Sequence, residues 1–68
     1  MRHGLFMFRH NKRLTQEQAA VKIGVTRETY RAVENGDRKP STRFREAFVS
    51  AFGVTLDEFE RLMQNEAQ

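Results

Sequence analysis

Near the middle of the 68-residue chain, Arg27, Glu28, Arg31 and Ala32 are spaced so that one side of a helix would present them together. Their chemistry is hydrogen bonding rather than bond making. A guanidinium can donate two parallel bonds to O6 and N7 of guanine, and a carboxylate can accept from N4 of cytosine. With Tyr30 and Val33 turned inward on a wheel of about 100° per residue, Glu28, Arg31, Ala32 and Asn35 take the opposite face, and Arg27 projects from the first turn. A helix in the major groove of B-DNA reads bases with such a face, led by its N-terminal residues. The plainer alternative leaves Arg27, Glu28 and Arg31 solvated as weak surface ion pairs.

Other chemistry finds little support. His3 and His10 could share a helical face, but without a nearby carboxylate or thiol they make a poor metal site. Ser41 and Ser50 have no histidine and aspartate constellation around them. No glycine-rich phosphate loop occurs, and there are no cysteines. The expectation is a protein that is not an enzyme, with no cofactor, no metal and no small-molecule ligand.

The elements that would hold these residues read as five short helices, over about 4–12, 15–23, 26–35, 41–52 and 55–65. Leu5, Phe8 and Arg9 share a face of the first. Thr15 can cap the second, with Gln18 reaching back in a capping box, and Ala19, Ala20 and Ile23 face inward. Thr26 caps the third, whose inner side holds Thr29, Tyr30 and Val33. Pro40 and Ser41 introduce the fourth, where Phe44, Ala47, Phe48, Ala51 and Phe52 recur at helical spacing as a core stripe. Thr55 and Glu58 repeat the capping box, and Leu56, Phe59, Leu62 and Met63 give the fifth helix its apolar, inner face. Gly24, Gly36 and Gly53 fall where helices must stop.

Only Gly24, Val25 and their immediate neighbours separate the second and third helices. So short a turn forces a steep, close crossing, the helix-turn-helix geometry, over about residues 15–36. Ala20 is small enough for close approach, Gly24 tolerates the turn, and Ile23, Val25, Tyr30 and Val33 wedge the angle.

Charge is unevenly spread. Residues 1–45 hold 11 basic and 4 acidic residues, whereas residues 46–68 hold 1 basic and 5 acidic, for a net +3. This suggests a polyanion facing the first two-thirds of the chain. The length fits one domain, 1–68, and the longest apolar run, Leu5-Phe6-Met7-Phe8, is far too short for a signal peptide or a membrane span. A cytoplasmic protein without membrane contact is expected.

The stretches Leu14-Thr15-Gln16-Glu17-Gln18-Ala19-Ala20, Ile23-Gly24-Val25-Thr26-Arg27, Val33-Glu34-Asn35-Gly36 and Lys39-Pro40-Ser41 resemble the Cro/repressor-type (XRE) helix-turn-helix domain. So does the ending Phe52-Gly53-Val54-Thr55-Leu56-Asp57-Glu58-Phe59. The resemblance spans about residues 5–62. It implies an all-α fold, a compact five-helix repressor-like domain with a central helix-turn-helix. It also implies binding to double-stranded operator DNA, usually as a homodimer on a two-fold site.

Position by position, the resemblance makes Arg27, Glu28 and Ala32 base-reading residues, with Arg31 on the same face. Gln16 would contact a phosphate and steady the third helix, with Thr26, Asn35, Arg38 and Lys39 also at the DNA backbone. Arg9 and Glu34 would form a partly buried salt bridge. The chain departs from the family at Ala19, where leucine is usual, and at Thr42 and Arg45, often aliphatic, so the start of the fourth helix should be displaced or more exposed.

Phe6 and Met7 are expected to look outward, where they could serve a protein contact. Phe59, Leu62 and Met63 form a candidate dimer surface, unless they simply cap the core. The function expected is a small transcriptional regulator, a repressor of prophage, plasmid or mobile-element type. The alternative is a protein-interaction module or antitoxin that uses the same fold to bind a protein partner.

Overall fold

Hydroxyl caps and left-handed turns cut the chain into helices, and the computed structural model describes residues 1–64. The helices are α1 (His3–Asn11), α2 (Gln16–Ile23), α3 (Arg27–Asn35), α4 (Thr42–Phe52) and α5 (Leu56–Gln64). The fold is all-α, with no strand among the described residues. Residue 65, the expected end of the last helix, lies outside them.

Thr15, Thr26 and Ser41 each precede a helix by one residue in extended conformation. Their hydroxyls accept from the backbone N–H of Gln18 (3.0 Å), Thr29 (3.1 Å) and Phe44 (3.1 Å), so helices expected to begin at these residues begin just after them. Gln18 completes a reciprocal box by accepting from the Thr15 N–H at 2.9 Å, and Glu58 does the same for Thr55 at 3.0 Å. α2 and α3 end on Gly24 and Gly36, at φ +80° and +88°, where a side chain would be strained. α1 ends differently. Its reversal uses Arg13 at φ +58°, an arginine in the conformation that glycine supplies elsewhere.

The short turn after α2 packs it directly on α3, and α2 also touches α4. α5 closes the domain by lying against α1 and α4. Between them sits a core of Leu5, Ala19, Ala20, Ile23, Tyr30, Val33, Phe44, Phe48 and Phe59. Phe48 is its hub, with ring centroids of Phe52, Phe59 and Phe8 at 4.7, 5.0 and 5.4 Å, tilted against it as aromatic quadrupoles prefer. Ala19 is wholly buried in this core. Thr42 is exposed, and Arg45 is half-buried, its guanidinium paired across helices with Glu60 of α5.

Three expectations are corrected. Phe59 is 0% exposed, so it belongs to the core of the protomer and leaves no surface for a second copy, while Leu62 and Met63 are half-buried against that core. Leu56, assigned to the inner face of α5, is 52% exposed. Phe6 and Met7 do not look outward but are half-buried. His10 stacks on the Phe6 ring at 5.6 Å, and the Arg9 guanidinium lies 5.4 Å from its centroid.

Candidate nucleic-acid interface

The site begins at a buried charge. Glu34, near the end of α3, is wholly inaccessible to solvent and accepts from three side-chain donors. Arg9 of α1 gives it two, Nε to Oε2 at 2.9 Å and Nη2 to Oε1 at 3.0 Å, and Gln16 of α2 adds Nε2 to Oε1 at 3.0 Å. The remaining Arg9 nitrogen, Nη1, donates to the Leu14 carbonyl at 2.7 Å and so fixes the α1–α2 turn.

Burial alone would push the Glu34 carboxyl up. The hydrogen bonds from Arg9 and Gln16, with the Arg9 charge, outweigh it and hold the group below its ordinary value. Hydrogen bonding to Glu34 likewise raises Arg9. Burial, and then the adjacent Glu34 charge, hold the Tyr30 phenol well above its usual value. One network therefore locks α1, α2 and α3 together, and no buried side-chain polar atom lacks a partner among the described residues.

With α3 fixed in this way, its outer side is presented to solvent. Arg27 and Glu28 are exposed in the first turn, and Arg31 and Ala32 lie half-exposed one turn on. Arg31 donates to Glu28 through Nε and Nη2, both at 3.1 Å. Those bonds, the Arg31 charge and weaker pulls from Arg27 and Arg38 draw the Glu28 carboxyl below its ordinary value.

Arg38 and Lys39 are exposed on the loop that follows α3, and the Arg38 guanidinium approaches the Thr29 hydroxyl at 3.4 Å. Asn35 is half-buried at the end of α3. At the other end, Arg9, Thr15, Gln16, Glu17 and Arg27 line one shallow cleft, which brings the start of α2 beside the start of α3.

Two of the expected backbone-contact residues already have work in the fold. The Thr26 hydroxyl accepts from the Thr29 N–H and donates to the Thr29 hydroxyl at 2.9 Å. The side-chain nitrogen of Gln16 turns inward to Glu34, and Thr15 caps the Gln18 N–H, so in the first turn of α2 the backbone N–H groups of Gln16 and Glu17 stay uncapped.

Arg2 was not singled out from the sequence. Its backbone N–H donates to the Glu34 carbonyl at 2.7 Å, and its Nη1 to the carbonyls of Val33 and Arg38, the latter at 3.0 Å. It thereby satisfies the Glu34 carbonyl, adds a second donor to that of Val33, and holds the loop that carries Arg38 and Lys39. A basic residue ahead of α1 gives no signal of this, because its partners lie more than 30 positions away.

No group of three or more His, Asp or Glu side chains that could hold a metal ion occurs among the described residues. No helix there is long and apolar enough to cross a membrane.

A family described as the helix-turn-helix domain matches residues 5–62. An uncharacterized HTH-type transcriptional regulator of Methanocaldococcus jannaschii is 36% identical over 58 residues, covering 85% of this chain and 88% of that protein. No solved structure matches the chain significantly.

Proposed function

The chain belongs to the helix-turn-helix domain family, and on that premise we propose that it binds double-stranded DNA in a sequence-specific manner and regulates transcription. The observation that carries this reading is the outer side of α3. Arg27, Glu28, Arg31 and Ala32 stand free of the core there, on a helix braced from behind by Arg9, Gln16 and Glu34. Arg38 and Lys39 flank that surface.

In this reading α3 enters the major groove, and Arg27, Arg31 and Ala32 meet base edges, with Glu28 on the same face. Gln16, Thr26, Asn35, Arg38 and Lys39 sit against the sugar-phosphate backbone and set the register. Regulation follows from occupancy. A Cro-like repressor of prophage, plasmid or mobile-element type, working in the cytoplasm, blocks a promoter by covering it.

A homodimer on a two-fold operator is part of the proposal. Since Phe59 is core, pairing through α5 falls to Leu56 and Met63, seven residues apart on one line of the helix, with Leu62 beside them. The experiment is selection of binding sites from random duplex DNA at roughly physiological salt. Enrichment of a two-fold motif is expected, and an enriched single half-site would keep DNA reading while removing the dimer. Binding that vanishes as salt rises, with no enriched sequence, would overturn the reading and leave charge alone.

A further inference from the structure

The Arg31–Glu28 pair has a geometry that bears on how α3 would discriminate bases. A guanidinium has two edges able to make parallel pairs of hydrogen bonds: a side edge, Nε with one Nη, and an end edge formed by the two Nη atoms. In Arg31 the side edge is taken, since Nε and Nη2 each donate to one Glu28 oxygen at 3.1 Å. The end edge is left free. That edge is the one a guanine can meet with O6 and N7 together, and the guanidinium plane is held by a carboxylate three residues earlier on the same helix.

We infer that Glu28 is a positioning residue: it orients Arg31 for end-on recognition of guanine and does not itself read a base. The inference rests on the proposed DNA-reading function and assigns this residue's part in it.

Two consequences follow from the same geometry. First, an arginine side chain alone has several rotatable bonds and can reach phosphates or neighbouring bases as well as its target. Held by Glu28, it keeps one orientation, so the arrangement favours discrimination over raw affinity. Second, the Glu28 carboxylate stands 75% exposed on a face turned to a polyanion. On a duplex where Arg31 finds no guanine and swings to a phosphate, that carboxylate loses its partner next to negative charge. Wrong sequences are thereby penalised, which is how specificity is gained by repulsion as well as attraction.

The test is binding-site selection from random duplex DNA with the wild-type chain, Arg31→Ala, Glu28→Ala and the double variant. Both side chains are on the surface, so the variants keep the fold. Arg31→Ala is expected to erase a guanine preference at one base pair of each half-site. Glu28→Ala should weaken the preference at that same base pair by about fivefold or more, leave the others unchanged, and add nothing when Arg31 is already alanine.

If Glu28→Ala altered a different base pair, Glu28 would be reading DNA directly and the inference would fall. It would fall equally if Glu28→Ala left the Arg31 position intact. In both cases Arg31→Ala still shows α3 reading bases, so the proposed function survives. If Arg31→Ala changed no position, the inference and the base-reading role given to Arg31 would fall together.

Discussion

Glu34 has the sharpest consequences of any single side chain. It is fully buried, and the charge and the amide that make its burial tolerable come from two other helices, Arg9 of α1 and Gln16 of α2. Glu34→Ala strands the Arg9 guanidinium and the Gln16 amide, and should destabilise the fold by about 3 kcal/mol. In a domain of this size that lowers Tm by at least about 10 °C, which a thermal melt would show. The pH dependence has a fixed sign. Because the folded-state carboxyl is held below its ordinary value, its contribution is complete above the normal carboxylate range and is lost as pH falls through the lowered folded value. Glu34→Gln has no such charge to titrate, so the stability gap between it and wild type should narrow below about pH 4 in denaturant titrations. The Arg9–Glu34 pair entered the sequence reading only through the family resemblance, since two residues 25 positions apart share no periodicity. Arg2 entered by no route at all. Helix-end carbonyls accept from whatever donor the fold brings near, and sequence spacing does not encode that donor.

Helix boundaries were the most legible feature, because they depend on neighbours in sequence. A hydroxyl that accepts from a backbone N–H three residues on, and a glycine that takes a left-handed turn, are local events. α1 shows what the same logic misses. Its end has no glycine, so only the backbone reveals Arg13 as the left-handed residue at φ +58°. Arg13→Gly should raise stability by roughly 0.5–1 kcal/mol, the relief of the left-handed penalty less the entropy that glycine adds to the unfolded chain. Chemical denaturation would measure it, and an unchanged midpoint would mean the turn carries no strain. Leu56 was misplaced for a related reason. Apolar periodicity picks a line along a helix, but not how far along that line the core extends. Leu56 opens α5 beyond the core, whereas Phe59, one turn later, is sealed inside it.

Over the whole molecule, the surplus of positive charge in the first 45 residues and of negative charge thereafter survives folding as a division between helices. The segment from α1 to the loop after α3 carries most of the arginines and lysines, and α5 carries Asp57, Glu58 and Glu60. Under the proposed function, phosphate contacts by these cations would make affinity fall with salt, with a slope of about −0.9 in log–log form for each phosphate neutralised. Arg38→Ala and Lys39→Ala should each flatten that slope by about 1 while leaving base preference unchanged. Titrations of duplex binding at several salt concentrations would decide it, and an unaltered slope would remove the loop from the interface. The packing of α1 against α5 has a different consequence, one that concerns synthesis. α1 leaves the ribosome well before α5, and until Phe59 arrives the faces of Phe44 and Phe48 that it covers stay open to water. A chain released early, after Gly53, would carry every residue of the proposed DNA-reading face and yet lack the fold that aims it.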